Sequence, residues 1–320
     1  MRTTSIRRRG AHYVICALTT IMSLCAAGDG LTFHEAARID ELQACVDFLN
    51  EGGDVDALDA GGNTALHVAA ADNRVRSAIY LLTKGIDADH ENNDGLRAID
   101  LAERSGHTGM QRLLSARGAS LTGVEAALER RLHLAILRDD LVQVGVRILK
   151  GEGVNSQDPE RGWTPLHVAA LHNEPKMVEL FVAMGADPNA VDFVGQRPLH
   201  FVAELGNLDI ASQLIAAGAD VNAVVTKSGA TALQMAVLSG NHDMVRLLID
   251  RDADVNAVDK RGWAPIHVVA LKGYADICKT LLENGADAGI ITKQDYSARL
   301  IAMASENHDV LKVLDEYAQH

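Results

Sequence analysis

A short phrase returns nine times along this 320-residue chain, at a spacing of 33 or 34 residues. Its clearest copies are Thr64-Ala65-Leu66-His67, Thr164-Pro165-Leu166-His167, Arg197-Pro198-Leu199-His200 and Ala264-Pro265-Ile266-His267. A fixed period of this length restricts the chain to a stack of small similar units, because one unit alone cannot bury its apolar face. A stack has no single active cleft built into it, so function has to be sought along its surface.

With the Thr of the phrase as position zero, the repeats begin at Leu31, Thr64, Arg97, Arg130, Thr164, Arg197, Thr231, Ala264 and Ser297. Two residues past zero lies an apolar side chain in every repeat except the last, which has Arg299. Five past zero lies Ala or Val, and twenty-one past zero in the first eight repeats lies Gly, with Asp252 as the exception. Thr at zero suits a helix N-cap, and Pro after it sits where its missing N–H costs nothing. Apolar residues at spacings of three and four then mark two helices per repeat, as in Met177, Val178, Phe181 and Val182. The Gly at twenty-one closes the second helix in the left-handed conformation. Extended turns such as Ala186-Asp187-Pro188-Asn189-Ala190 follow.

Gly162-Trp163-Thr164-Pro165-Leu166-His167-Val168-Ala169-Ala170, closing with Gly185-Ala186-Asp187, resembles the ankyrin repeat family, and the resemblance runs over about residues 31–320. It implies an all-α solenoid of about nine helix-turn-helix units with β-hairpin loops on one side. It further implies protein binding and no enzymatic activity. Six histidines, His34, His67, His133, His167, His200 and His267, share one repeat slot, where the side chain is expected to bond the capping Thr and a neighbouring loop. No His-x-x-x-His pair, phosphate-cradling Gly-rich loop or nucleophile elbow appears. The Asp-x-Asn loops lack the terminal Glu of a calcium loop and read as turns. Cofactors and metals are therefore not expected.

Residues 1–27 differ from the rest. Arg2, Arg7, Arg8 and Arg9 precede an apolar run from Tyr13 to Ala27, which reads as a signal peptide cut after Ala27, the alternative being an N-terminal membrane anchor. Cleavage would remove four Arg and no acid, taking the formal charge from −13 to −17. Such a chain is poorly suited to phosphate backbones, so nucleic acid is excluded as a partner and a basic or mixed protein is favoured. A periplasmic or secreted location follows, with no membrane contact after cleavage. Cys45 and Cys278 both lie fourteen past zero and read as inert core thiols, about 70 Å apart at ~10 Å per helix layer.

The fourth repeat departs most from the pattern: Arg130 and Arg131 replace Thr-Pro, and Thr122 to Glu129 reads as helical. The expected division is a signal peptide over 1–27, repeats one to three with a cap over 28–121, and an irregular helical junction over 122–131. Repeats four to nine with a polar C-terminal cap take 130–320. A kink or weaker interface is expected over 119–131. One monomeric repeat domain follows from this division.

In the family's geometry, positions four, three and one before zero, and seven and eight after it, face the concave side. Singled out among them are Trp163, Leu171, His172, Phe193, Val194, Glu204, Leu205, Leu238, Arg261, Trp263, Leu271 and Lys272. Both tryptophans of a chain with 4% aromatics fall there. Trp and Arg are favoured at binding hot spots, although each Trp would also serve to seal its loop onto the next. The expectation is a non-catalytic scaffold or inhibitor gripping another protein with repeats five to eight. The alternatives are a protection factor for a periplasmic enzyme and an exported effector acting on a host protein.

Overall fold

The structure is a computed structural model and describes residues 31–116, 136, 140–151 and 153–318. The described residues contain seventeen helices. Typically a seven- or eight-residue helix, such as Pro165–Leu171, is followed by a nine-residue one, such as Pro175–Ala183. The chain divides into two compact bodies, Met1–Ser115 and Ala116–His320. The expected junction over 122–131, the kink over 119–131 and His133 lie outside the described residues.

The repeating side chains explain both bodies in the same way. Leu66, Leu166, Leu199, Leu233 and Ile266, two past zero, are buried, and so are Ala36, Ala69, Ala102, Ala169, Val202, Ala236, Val269 and Ala302, five past zero. Three to four residues bring a helix back to the same face, and the small side chain there lets the next helix approach closely. In the C-terminal body this makes one apolar core running from Ile136 to Leu314. The first repeat is capped one residue later than its register suggests. Thr32, rather than Leu31, caps Phe33–Ile39, its hydroxyl accepting the Glu35 N–H at 3.2 Å while Glu35 accepts the Thr32 N–H.

The loops are closed turns rather than paired strands. Among the described residues only two isolated bridges occur, Val224 with Thr231 and Ile291 with Ser297. The Asp259 N–H donates to the Trp263 carbonyl at 2.9 Å, and the Asp259 carboxylate accepts the N–H groups of Arg261 and Trp263. Neighbouring repeats are tied by an asparagine ladder. Asn189 accepts the Asp220 N–H and donates to the Gly218 carbonyl, both at 2.8 Å, and Asn155, Asn222 and Asn256 do the same one repeat apart. The Asp-x-Asn motif is therefore a turn and an inter-repeat tie together.

The glycine rule at twenty-one has its reason in φ: Gly185, Gly218 and Gly285 all lie at 85–92°. Asp252 adopts φ 64° in the same slot despite its Cβ. Asp252→Gly is expected to stabilise the C-terminal body by about 0.5–1 kcal/mol, because a left-handed L residue is strained where Gly is not. A urea titration read by circular dichroism checks this, and an unchanged or lower midpoint would contradict it.

Candidate functional site

The phrase itself is occupied with holding the stack. The backbone N–H groups of Thr64, Thr164, Arg197 and Ala264 donate to Nδ1 of His67, His167, His200 and His267 at 3.0–3.2 Å. Nδ1 therefore carries no proton, and the remaining proton sits on Nε2. From there it is donated to a carbonyl of the next repeat: Leu96, Gln196, Ala223 or Ile290, at 2.9–3.2 Å. The seventh repeat has Gln234 in this slot, accepting from Thr231 N–H and donating to the Trp263 carbonyl. Burial holds the imidazoles of His67, His200 and His267 below their ordinary value. These are neutral structural linkers.

The cysteines are equally withdrawn. Burial pushes the Cys45 thiol up to about 12, with Asp40 and Glu41 adding to the rise, and burial alone does the same for Cys278. A protonated buried thiol is a poor nucleophile. Among the described residues no group of His, Cys, Asp and Glu is placed to hold a metal, and no helix is long and apolar enough to cross a membrane.

The variable positions present a different surface. Phe193, Val194, Leu205, Leu238 and Leu271 are exposed, Phe193 at 58% and the three leucines at 45–50%. Leu171 is half-buried, while His172, Glu204, Arg261 and Lys272 are exposed. Both tryptophans are half-buried and pack against the core. The Trp163 indole N–H donates to Asp192 of the next repeat at 3.2 Å, and its ring meets Phe201 edge-on with centroids 5.7 Å apart. Trp263 packs on His267 at 6.0 Å. Over each indole lies the Arg two residues before it, Arg161 at 4.5 Å and Arg261 at 5.3 Å. Each Trp thus seals a loop seam on one side and presents an Arg-covered face on the other.

Successive turns are joined tip to tip. Phe193 N–H donates to Arg161 O, Lys227 to Val194, Lys260 to Ser228 and Lys293 to Arg261, at 2.9–3.2 Å. The exposed side chains of the tips, Phe193, Val194 and Arg261, therefore stand on a hydrogen-bonded strip rather than on independent loops. Sequence reasoning missed an exposed apolar row on the same turns: Val191, Val224, Val258 and Ile291, 44–57% exposed. Its signal was available, since each directly precedes the residue that closes its turn. In the N-terminal body Arg38, Asp59, Asn63 and Asp72 border an open depression of about 340 Å³.

The family described as "Ankyrin repeats (3 copies)" matches residues 33–123, 132–225 and 199–292, well over half of the chain. The chain is an ankyrin-repeat protein. Such proteins are generally non-enzymatic interaction modules, and the helix pairs, closed turns and His links above are the physical form of that membership. This ankyrin-repeat protein is similar to the nuclear factor NF-kappa-B p105 subunit of Mus musculus, at 36% identity over 146 residues, which is 44% of this chain and 15% of that one. It is similar to ankyrin repeat and SOCS box protein 6 of Homo sapiens, at 38% over 148 residues, 44% and 34% of the two chains. It is similar also to the B-cell lymphoma 3 protein homolog of Mus musculus, at 36% over 169 residues, 50% and 38%. The aligned part spans less than two-fifths of each of these relatives.

Proposed function

We propose that this ankyrin-repeat protein is an exported, non-catalytic scaffold or inhibitor that grips a partner protein on the tips and helix ends of repeats five to eight. The observation that carries the reading is a set of exposed apolar side chains on ordered backbone: Phe193 on the hydrogen-bonded turn tips, and Leu205, Leu238 and Leu271 at the ends of the first helices. An apolar patch held in place by backbone hydrogen bonds loses little entropy on association. Its relatives support an interaction role, and the basic, then apolar, residues 1–27 support export into a periplasmic or extracellular space. The monomeric state belongs to the same proposal.

Trp263→Ala is expected to weaken partner binding by about 2 kcal/mol. For Trp163 the Phe variant is the cleaner test, because truncation to Ala also removes the seal against Phe201. Affinity capture from the native compartment, comparing wild type with Phe193→Ala/Leu205→Ala/Leu271→Ala, checks the surface. Identical captured proteins would rule it out. N-terminal sequencing of the mature chain tests export: Gly28 as first residue is expected, and an intact Met1 would overturn it.

A further inference from the structure

We infer that the segment held on the C-terminal turn tips is acidic, with apolar residues between its carboxylates. The inference rests on the binding face proposed above and specifies the chemistry that the face accepts. It reverses what the whole chain suggests, since a formal charge of −13 points to a basic partner.

The charges of the C-terminal body are sorted by position. Asp209, Asp243, Asp276 and Asp309 recur twelve past zero in the first turn of the second helix, and Asp187, Asp220, Asp254 and Asp287 recur in the turn after it. All eight are exposed. The tips carry the opposite sign. Lys227, Lys260 and Lys293 stand four before zero in three consecutive repeats, Arg261 stands beside them, and Lys272 ends the first helix of the eighth repeat. All five are exposed.

The tip-to-tip hydrogen bonds hold Lys227, Lys260 and Lys293 in a row, about 10 Å apart at the spacing of packed helices, with Arg261 on the same strip. Lys260 Nζ donates to the Thr226 carbonyl at 2.6 Å, which satisfies one proton and leaves the charge uncompensated. Arg261 pairs with the buried Asp259 at 3.0 Å. Among the described residues Lys227, Lys272 and Lys293 make no ion pair; the pairs of this body include Arg197–Asp220, Arg261–Asp259, Lys279–Glu283 and Arg299–Asp315. On the tips of repeats seven to nine Lys227, Lys260, Arg261 and Lys293 stand with Asp259 and Asp295, four cations to two carboxylates, whereas in the fifth repeat the exposed Glu160 takes the lysine slot.

Exposed charges are screened over about 8–10 Å at physiological salt. A segment lying on the strip therefore feels most strongly the charges that stand on the strip itself. Leu238 and Leu271 on the first helices and Tyr296 three residues after Lys293, 45–48% exposed, supply apolar footing on the same repeats. A nucleic acid fits less well. Two carboxylates interrupt the strip, and the Trp263 face that a base would stack on is covered by Arg261 at 5.3 Å.

The test is selection of 16-residue peptides from an unbiased display library against the full chain, followed by fluorescence anisotropy of the selected peptides. The peptides are expected to be rich in Asp, Glu and large apolar residues. Lys227→Glu/Lys260→Glu/Lys293→Glu is expected to weaken them about tenfold or more at low salt, while Lys176→Glu on a second helix leaves them unchanged. A thermal melt establishes that the triple variant is folded, and Lys227→Glu/Lys293→Glu, which spares the Lys260 bond, is expected to show a large part of the loss. Neutral or basic peptides that are lost on Trp263→Ala/Leu271→Ala would overturn the acidic partner while leaving the binding face standing. Peptides indifferent to both sets of variants, or the recovery of no binder, would count against the face itself. Displacement of the peptides by a 20-nucleotide single strand at equal concentration would reassign the strip to nucleic acid and end the inference.

Discussion

His200→Ala is expected to cost about 3 kcal/mol or more of stability, and His200→Gln about 1 kcal/mol or less. The imidazole is 1% exposed and bonds two backbone groups, accepting from Arg197 N–H at 3.0 Å and donating to the Ala223 carbonyl at 3.0 Å. Truncation leaves both groups buried and unsatisfied, at about 1–3 kcal/mol each. Glutamine supplies one acceptor and one donor, and Gln234 already performs the same bridge one repeat later. Urea unfolding of both variants checks the contrast; equal losses would mean that the bridge is incidental.

The same site sets a dependence on pH. Burial lowers the His200 value below 6.5, the nearby Arg197 charge adds to this, and the Ala223 carbonyl opposes it; His67 and His267 are lowered by burial too. The unfolded chain thus binds protons that the folded chain refuses. Stability from these histidines is complete above the unfolded value of about 6.5 and is lost as pH falls below it, down through the lowered folded values. Denaturation midpoints should therefore decline from pH 7 toward 5, and His200→Gln should flatten the decline by removing one of the three sites.

Two phenylalanines should give opposite readouts. Phe181 is 0% exposed in the second helix of its repeat, and Phe181→Ala is expected to cost about 3–5 kcal/mol through lost burial and the cavity left behind. In a stack held by neighbour contacts, that loss spreads to the adjoining repeats. Phe193 is 58% exposed on a turn tip. Phe193→Ala is expected to leave stability within about 0.5 kcal/mol and to weaken partner binding. Chemical denaturation and binding measured on the same two proteins decide it. A large stability loss for Phe193→Ala would show that the side chain seals its turn over Gly162 instead of awaiting a partner.

The fold was legible because its rules are local and repeat. A cap, a helix start, a small residue five past zero and a left-handed closure each follow from one residue's own chemistry. Where a residue broke the rule, the backbone kept it: Asp252 took the Gly conformation, and Gln234 took the His bridge. The first cap slid from Leu31 to Thr32, because only the hydroxyl can accept the Glu35 N–H. The surface was less legible. Both tryptophans stood out by rarity, but the bond from Trp163 to Asp192 joins residues 29 apart. The apolar row at Val191, Val224, Val258 and Ile291 went unread beside the stronger signal of the phrase.

By itself the sequence determined the period, the helix pairs and the buried slots, since each is decided within a few residues and then copied. Only the tertiary structure decided which side chains meet. Stacking sets Lys227, Lys260 and Lys293 on one hydrogen-bonded strip, while Asp209, Asp243, Asp276 and Asp309 recur on the second helices. A net charge is a sum without positions, whereas an approaching partner responds to the charges within one screening length of where it lands.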